Sequence, residues 1–286
     1  MKTVKYFFQF IFIFFLFIIF KILGLKNSST LASLLFKNIG PFFRSKKLIE
    51  NNILKAFPNM NKDDLNQIAN NMWGNYGRVL AEYIFLKNFR KTIPTRNLKI
   101  VGQGILDKIR EKKKPVIFIS GHFNNFELMA MHIEKSGIDL ATIYRPLNNI
   151  FLNILMEKIR KRYICKNQIK KGFAGSRQLL SFFKNGYSIA LMIDQRVSQG
   201  IKSNFFKYEA YTTTIPAQFV KKFNCKIVPI YIERIDNVNF KLTINNPIEY
   251  SNEYTIKDIT LDLNQRLEKM ILKNPGQWIW SHNRWK

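Results

Sequence analysis

The chain has 286 residues, 47% of them hydrophobic, and carries 46 Lys plus Arg against 19 Asp plus Glu, a formal charge of +27. That length and apolar content exclude a disordered chain and suffice for one large domain or two small ones. The charge calls for an anionic partner or a membrane surface, although a composition rich in Lys, Asn, Ile and Phe together accounts for part of it.

The first element is apolar. Residues 6–20, "YFFQFIFIFFLFIIF", carry no charge. Lys21 followed by "ILGL" extends the run to about twenty residues that can cross a bilayer if Lys21 snorkels. A cleaved secretory signal is the competing reading, with Lys2 and Lys5 as its basic region. No small-x-small cleavage site follows, so residues 1–25 are expected to be an uncleaved anchor. Lys26, Lys37, Arg44, Lys46 and Lys47 outnumber Lys2 and Lys5, which predicts that the body lies on the cytoplasmic side. Only Cys165 and Cys225 are present, so no disulfide framework can be argued and reduced thiols are expected.

Residues 26–92 read as helical. "STLASLLFKNIG" opens with Ser and Thr as cap candidates and ends at Gly40-Pro41, and "NKDDLNQIANNMWGNYGRVLAEYIF" begins at Asn61 with an acidic first turn. Core packing is the simplest use for these helices, with some aromatic surface resting on a membrane interface. After Pro94 strands and helices alternate. "LKIVG", "PVIFIS", "LATIYR", "YSIALMI", "KIVPIYIERI" and "FKLTINNPIEY" read as strands, with helical patterns between them and a closing helix at 256–273. This predicts an α/β fold: a mixed, largely parallel sheet flanked by helices. Residues 26–286 are read as one domain, with 26–92 its helical part and 93–286 its α/β core.

Chemistry in such sheets gathers at the carboxyl ends of strands, where His122, Arg145 and Asp194 fall. His122 follows Ser120-Gly121 at a strand-to-helix junction, and Glu127 comes five residues later. On a regular helix that spacing separates side chains by about 140°, so the two meet only if His122 precedes the helix. A carboxylate on one imidazole nitrogen would fix the tautomer and leave the other nitrogen basic, which is general-base chemistry on a hydroxyl. The bland reading is a structural His paired with Glu127. Arg145 reads either as a cleft cation or as a surface Arg. Asp194 reads either as an acid holding a basic group or an acceptor hydroxyl, with Gln195 beside it, or as a turn residue. His132 reads as structural, and His282, in a Trp-rich tail, as packing or surface. No metal site is expected, since no His pair stands at i,i+4 and the two Cys lie far apart. Nucleotide-binding loops and a serine-hydrolase elbow are missing as well.

"SGHFNNFEL", "IYRPLNN", "LMIDQR", then "FF" with a Thr-rich run before a helix, and finally "NPGQWIWSHNRWK", occur in an order that resembles the bacterial lipid A biosynthesis late acyltransferases, the lauroyl and myristoyl transferase family. The chain departs from the usual pattern at Asn124 and Phe126. The resemblance implies transfer of a fatty acyl chain from an acyl carrier protein thioester to a hydroxyl of a lipid A precursor of the Kdo-lipid IVA type. The setting would be the cytoplasmic face of the bacterial inner membrane. It implies no cofactor beyond the phosphopantetheine thioester of the donor, with acyl carrier protein, a phosphorylated glycolipid and the membrane as partners. His122 would be the base and Glu127 its orienting acid. Arg145, Asn148, Arg160, Asp194 and Gln195 would bind substrate, and amides near Asn124 or a nearby Arg would meet the oxyanion. Another acceptor, such as a glycerophosphate, an amino-lipid or a different glycolipid, is the rival within enzymology. A basic nucleic-acid-binding protein is the rival from another class, opposed by the anchor and by charge spread along the chain.

Overall fold

Residues 2–39 contain neither an acid nor a proline, and in the computed structural model, which describes residues 2–92 and 96–286, they form one long helix, α1 (Lys2–Ile39). Gly24 breaks it, with φ 75° and ψ 169°, a backbone geometry that costs a residue with a Cβ and not glycine. The Ser and Thr at 28–30 do not start a helix as expected. The Ser28 and Thr30 hydroxyls instead bond back to Gly24 O (2.6 Å) and Lys26 O (3.0 Å) inside α1. A 3-10 turn, Gly40–Phe43, leads to α2 (Lys46–Ala56) and α3 (Lys62–Glu82), the latter capped by Asn61, whose side chain accepts from Asp64 N. A second turn, Tyr83–Phe85, and α4 (Leu86–Thr92) complete the helical part. The change of texture expected at Pro94 lies outside the described residues.

Helix α1 does not stand apart from the body. A Cβ on Gly77 of α3 would sit 2.0 Å from Ala32 O, so glycine is what lets the two helices touch. Nearer the N-terminus, Phe17 and Phe20 are buried with Ala81, and the Phe7 and Phe10 rings lie 5.7 and 6.0 Å from Phe151.

The remainder is α/β. The elements in chain order are β1 (Leu98–Val101), α5 (Gln103–Lys112), β2 (Ile117–Ser120), α6 (Glu127–Lys135), β3 (Leu140–Tyr144), α7 (Ile150–Tyr163), β4 (Asn167–Lys170) and α8 (Phe173–Lys184). They continue with β5 (Ser188–Met192), β6 (Ile201–Phe205), β7 (Tyr208–Thr212), α9 (Ile215–Phe223), β8 (Ile227–Asp236), β9 (Asn239–Ile244), α10 (Ile256–Lys273) and a 3-10 turn, Pro275–Gln277. Seven strands form one sheet in the order β1-β9-β8-β2-β5-β3-β4, parallel throughout except for β8 against β9. Strand β2, central and buried at every residue, is the continuous apolar run that a two-sided sheet requires.

Two features escape the sequence pattern. Strand β4 is a four-residue edge, "NQIK", with no apolar alternation. Strands β6 and β7 form a separate antiparallel hairpin. Its turn places Phe206 and Lys207 at φ 50° and 65°, positions normally signalled by Asn or Gly. Buried Arg284 holds this hairpin, donating to Tyr211 O (2.6 Å) and Thr212 Oγ1 (2.7 Å). One apolar core joins the helical part to the sheet, from Ile53 and Trp73 through Phe118 to Trp280. Each such buried side chain contributes about 1.5–3 kcal/mol of transfer free energy.

Candidate active site

Strand β2 ends at Ser120, and residues 121–126 turn the chain into α6. The amides of residues 122–125 are already engaged. His122 N donates to Asp194 Oδ2 (2.7 Å), Phe123 N to Gly121 O (2.9 Å), Asn124 N to Gln277 O (2.9 Å) and Asn125 N to Asn124 Oδ1 (2.7 Å). These four amides, near Asn124 where the sequence placed candidate oxyanion donors, are thus committed to partners within the protein. Asn124 sits at φ 30°, tolerable for Asn, and its Nδ2 donates to Ile232 O (2.9 Å) and Gln277 Oε1 (3.0 Å). Asn125 Nδ2 donates to Glu82 Oε2 at 2.9 Å. Glu82, fully buried, takes a two-pronged contact from Arg234 at 2.6 and 3.1 Å and a hydrogen bond from Ser29 of α1 at 2.9 Å. The loop is thus clamped from α1, α3, β8 and the C-terminal segment.

His122 and Glu127 do not form the pair that their spacing suggested. His122 Nδ1 lies 2.7 Å from Asp194 Oδ1, on the loop just after β5, the strand paired with β2. Trp278 Nε1 donates to Asp194 Oδ2 at 2.9 Å. Complete burial works against the Asp194 charge, but the His122 ring and amide and the Trp278 N–H outweigh it and hold the carboxyl below its ordinary range. The acid therefore stays ionised at neutral pH and accepts Nδ1–H, which leaves Nε2 as the basic nitrogen of a ring 22% exposed to the cleft. The Phe126 ring stands edge-on to it at 4.8 Å.

Glu127 is the first residue of α6, where a carboxylate suits the helix dipole, and it turns toward the helical part of the chain. Its Oε1 accepts from Tyr83 OH at 2.6 Å and from Arg160 Nε and Nη2 at 2.8 and 2.7 Å. Burial and the Glu127 charge drive the Tyr83 hydroxyl well above its usual range. Burial opposes the charge on Arg160, yet Glu127 outweighs it and raises the guanidinium pKa further. Tyr83, Glu127 and Arg160 form one fixed unit in the cleft wall.

The cleft has a volume of about 920 Å³, near the upper end of ligand sites. Its floor is the sheet. Phe118, Ala190 and Thr142 lie side by side in register across β2, β5 and β3, with Ser120 and Met192 one step nearer the strand ends, and Met129, Ala130 and Ile133 of α6 also line the cavity. The hydroxyls of Ser120 and Thr142 are buried in this lining without a hydrogen-bond partner. Arg145 and Asn148 are exposed at the rim, Gln195 lines the wall, and Arg44 and Lys171 add two further exposed cations to the lining.

The whole chain, residues 1–286, matches the model of the family described as bacterial lipid A biosynthesis acyltransferase. The chain belongs to the lipid A acyltransferase family. Among curated proteins it is similar to the lipid A biosynthesis palmitoleoyltransferase of Escherichia coli, 21% identical over 252 residues that cover 86% of this chain and 80% of that protein. It is also similar to the lipid A biosynthesis myristoyltransferase of the same organism, 21% identical with 85% and 75% covered. The third is a lipid A biosynthesis acyltransferase 2 of Shigella flexneri, 19% identical with 80% and 74% covered. As a lipid A acyltransferase the protein is an enzyme of lipid A biosynthesis, and its apolar helix α1 fits a membrane anchor.

Within this lipid A acyltransferase, all seven residues singled out from the sequence reach the cleft or its immediate wall. Nothing in the sequence pointed to Tyr83, whose partner lies 44 residues away, or to Arg44 as cleft residues, and Trp278 stood out only as part of the C-terminal motif. His282, read as packing or surface, lines the cleft and accepts from Arg196 N at 3.0 Å. Its burial pulls its pKa down to about 4. His132 packs through Nε2 on Gln103 Oε1 at 2.8 Å, away from the cleft.

Proposed function

We propose that the protein transfers a fatty acyl chain from an acyl carrier protein thioester to a hydroxyl of a phosphorylated glucosamine lipid, a lipid A precursor, at the cytoplasmic face of the inner membrane. The observation that carries this reading is the His122 imidazole, fixed through Nδ1 by buried Asp194 at the mouth of a cleft with an apolar floor and a cationic rim. The apolar floor suits the acyl chain of the donor. Arg44, Arg145 and Lys171 suit the phosphates of the acceptor. The names of the relatives, which include a palmitoleoyl- and a myristoyltransferase, agree with a long-chain donor.

In the reaction, His122 Nε2 takes the proton of the acceptor hydroxyl as its oxygen attacks the thioester carbonyl carbon. Ionised Asp194 stabilises the imidazolium that results. The tetrahedral oxyanion collapses, the carbon–sulfur bond breaks, and the departing sulfur takes the proton back from Nε2 to leave a thiol and a new ester. Arg160, held by Glu127 and Tyr83, and the unpartnered Ser120 hydroxyl are the candidate donors to the oxyanion.

The test uses membranes carrying the full chain, acyl carrier proteins loaded with different chains, and a tetra-acylated lipid A precursor, with products weighed by mass spectrometry. An added acyl mass that disappears in His122→Ala supports the reading. Acyl transfer only to a glycerophosphate or amino-lipid replaces the acceptor, and full turnover by His122→Ala refutes the mechanism.

A further inference from the structure

Eight cations and no acid precede Glu50, and beyond the break at Gly24 the helix α1 has two unlike faces. Ser29, Ala32 and Ser33 are buried, and Ala32 and Ser33 meet α3 at Gly77 and Gly74. Leu31, Leu34, Leu35 and Ile39 point away and are 37, 55, 42 and 43% exposed, and the turn that follows presents Phe42 and Phe43 at 89 and 68%. Residues 31, 34, 35 and 39 share one face of α1. Lys26, Lys37, Arg44 and Lys47 stand exposed along the same segment.

We propose that residues 31–43 form a docking surface for an anionic bilayer, distinct from the apolar stretch that precedes Gly24. A helix with an exposed apolar face and flanking cations lies in the headgroup boundary, its rings among the upper acyl chains and its cations against the phosphates. Charge selects this occupant over a second copy of the chain. Two copies meeting through this surface would bring together cations with no acid between them, and an anionic leaflet attracts the same charges. The surface is continuous with the apolar stretch before Gly24, and at its other end Arg44 lines the cleft. Docking therefore brings the cleft rim to the headgroups, where a lipid substrate resides. This inference is independent of the acyl donor used.

The test is photolabelling of the full chain in vesicles of phosphatidylethanolamine and phosphatidylglycerol that contain a phospholipid with a diazirine near the glycerol end of its acyl chain. Peptides covering 31–43 should carry label about ten-fold above those containing Tyr254 and Leu272, exposed apolar residues remote in sequence from the anchor. Lys37→Glu combined with Lys47→Glu, both at exposed positions, should lower that label about three-fold in these vesicles and leave it unchanged in phosphatidylcholine vesicles. The proposal is overturned if label stops before residue 24, if charge reversal has no effect, or if cross-links join residues 31–43 of two copies in place of lipid.

Discussion

Asp194 grips His122 at two points, with Oδ1 2.7 Å from the ring Nδ1 and Oδ2 2.7 Å from the backbone amide. The same carboxylate thus sets both the ring tautomer and the loop that carries the ring. Asp194→Asn keeps the shape and removes the charge that stabilises the imidazolium. Its kcat should fall about 100- to 10,000-fold while KM for acyl donor changes little, as steady-state kinetics will show.

Glu127 acts through Arg160 and Tyr83, since Oε1 is bonded to both. Glu127→Gln weakens the charge-assisted bonds and should lower kcat/KM about 10- to 100-fold. Tyr83→Phe, which removes one of the bonds to Oε1, should cost less. Equal losses in the two variants would contradict this ordering.

Ala190 sits between Phe118 and Thr142 on the cleft floor, so an added side chain occupies the space assigned to the acyl chain. Ala190→Leu should shift the preferred donor to a shorter chain. Competition between loaded carrier proteins measures the shift, and an unchanged preference would move the acyl site elsewhere.

Glu82 neutralises Arg234, whose side chain is only 7% exposed. Glu82→Gln leaves a buried guanidinium without its counter-charge, and the loss should be about 3 kcal/mol of stability, or a Tm drop of roughly 10 °C. Thermal unfolding in detergent measures it. Arg234→Met combined with Glu82→Leu should recover part of the loss, because no buried charge then remains unpaired.

Acid should destabilise the fold in two windows. Burial pulls His132 and His282 down to about 4, below the usual value of about 6.5, so between these values the unfolded chain binds protons that the folded chain does not. Stability is therefore lost as pH falls from about 6.5 to about 4. Asp194, with its carboxyl held low, adds a further loss below about pH 4, where the unfolded acid protonates first. Tm measured against pH should show both, and His132→Gln should flatten the upper window.

Much of the sheet was legible because its strands are apolar runs closed by Gly, Asn or Pro. The strand ends then placed His122, Arg145 and Asp194 together. The pairing within the site was not legible. His-x4-Glu suggested a local partnership, but Glu127 opens α6 facing Tyr83 and Arg160, and the ring's carboxylate comes from 72 residues away, just past the end of β5. Sequence spacing reports neighbours along a helix and is silent on neighbours across a parallel sheet. The β6–β7 hairpin was hidden for a different reason, since its turn uses Phe206 and Lys207 where glycine is the usual marker.

The pH dependence of kcat/KM in the full chain, in Asp194→Asn and in Glu127→Gln tests the central claim most directly. In the unaltered enzyme the rate should fall toward acid with the slope of one proton as the imidazole becomes charged. In Asp194→Asn that limb should move to lower pH, because the imidazolium has lost its counter-charge, and in Glu127→Gln it should stay in place. A limb that moves in Glu127→Gln and holds in Asp194→Asn would show that the base answers to the other carboxylate.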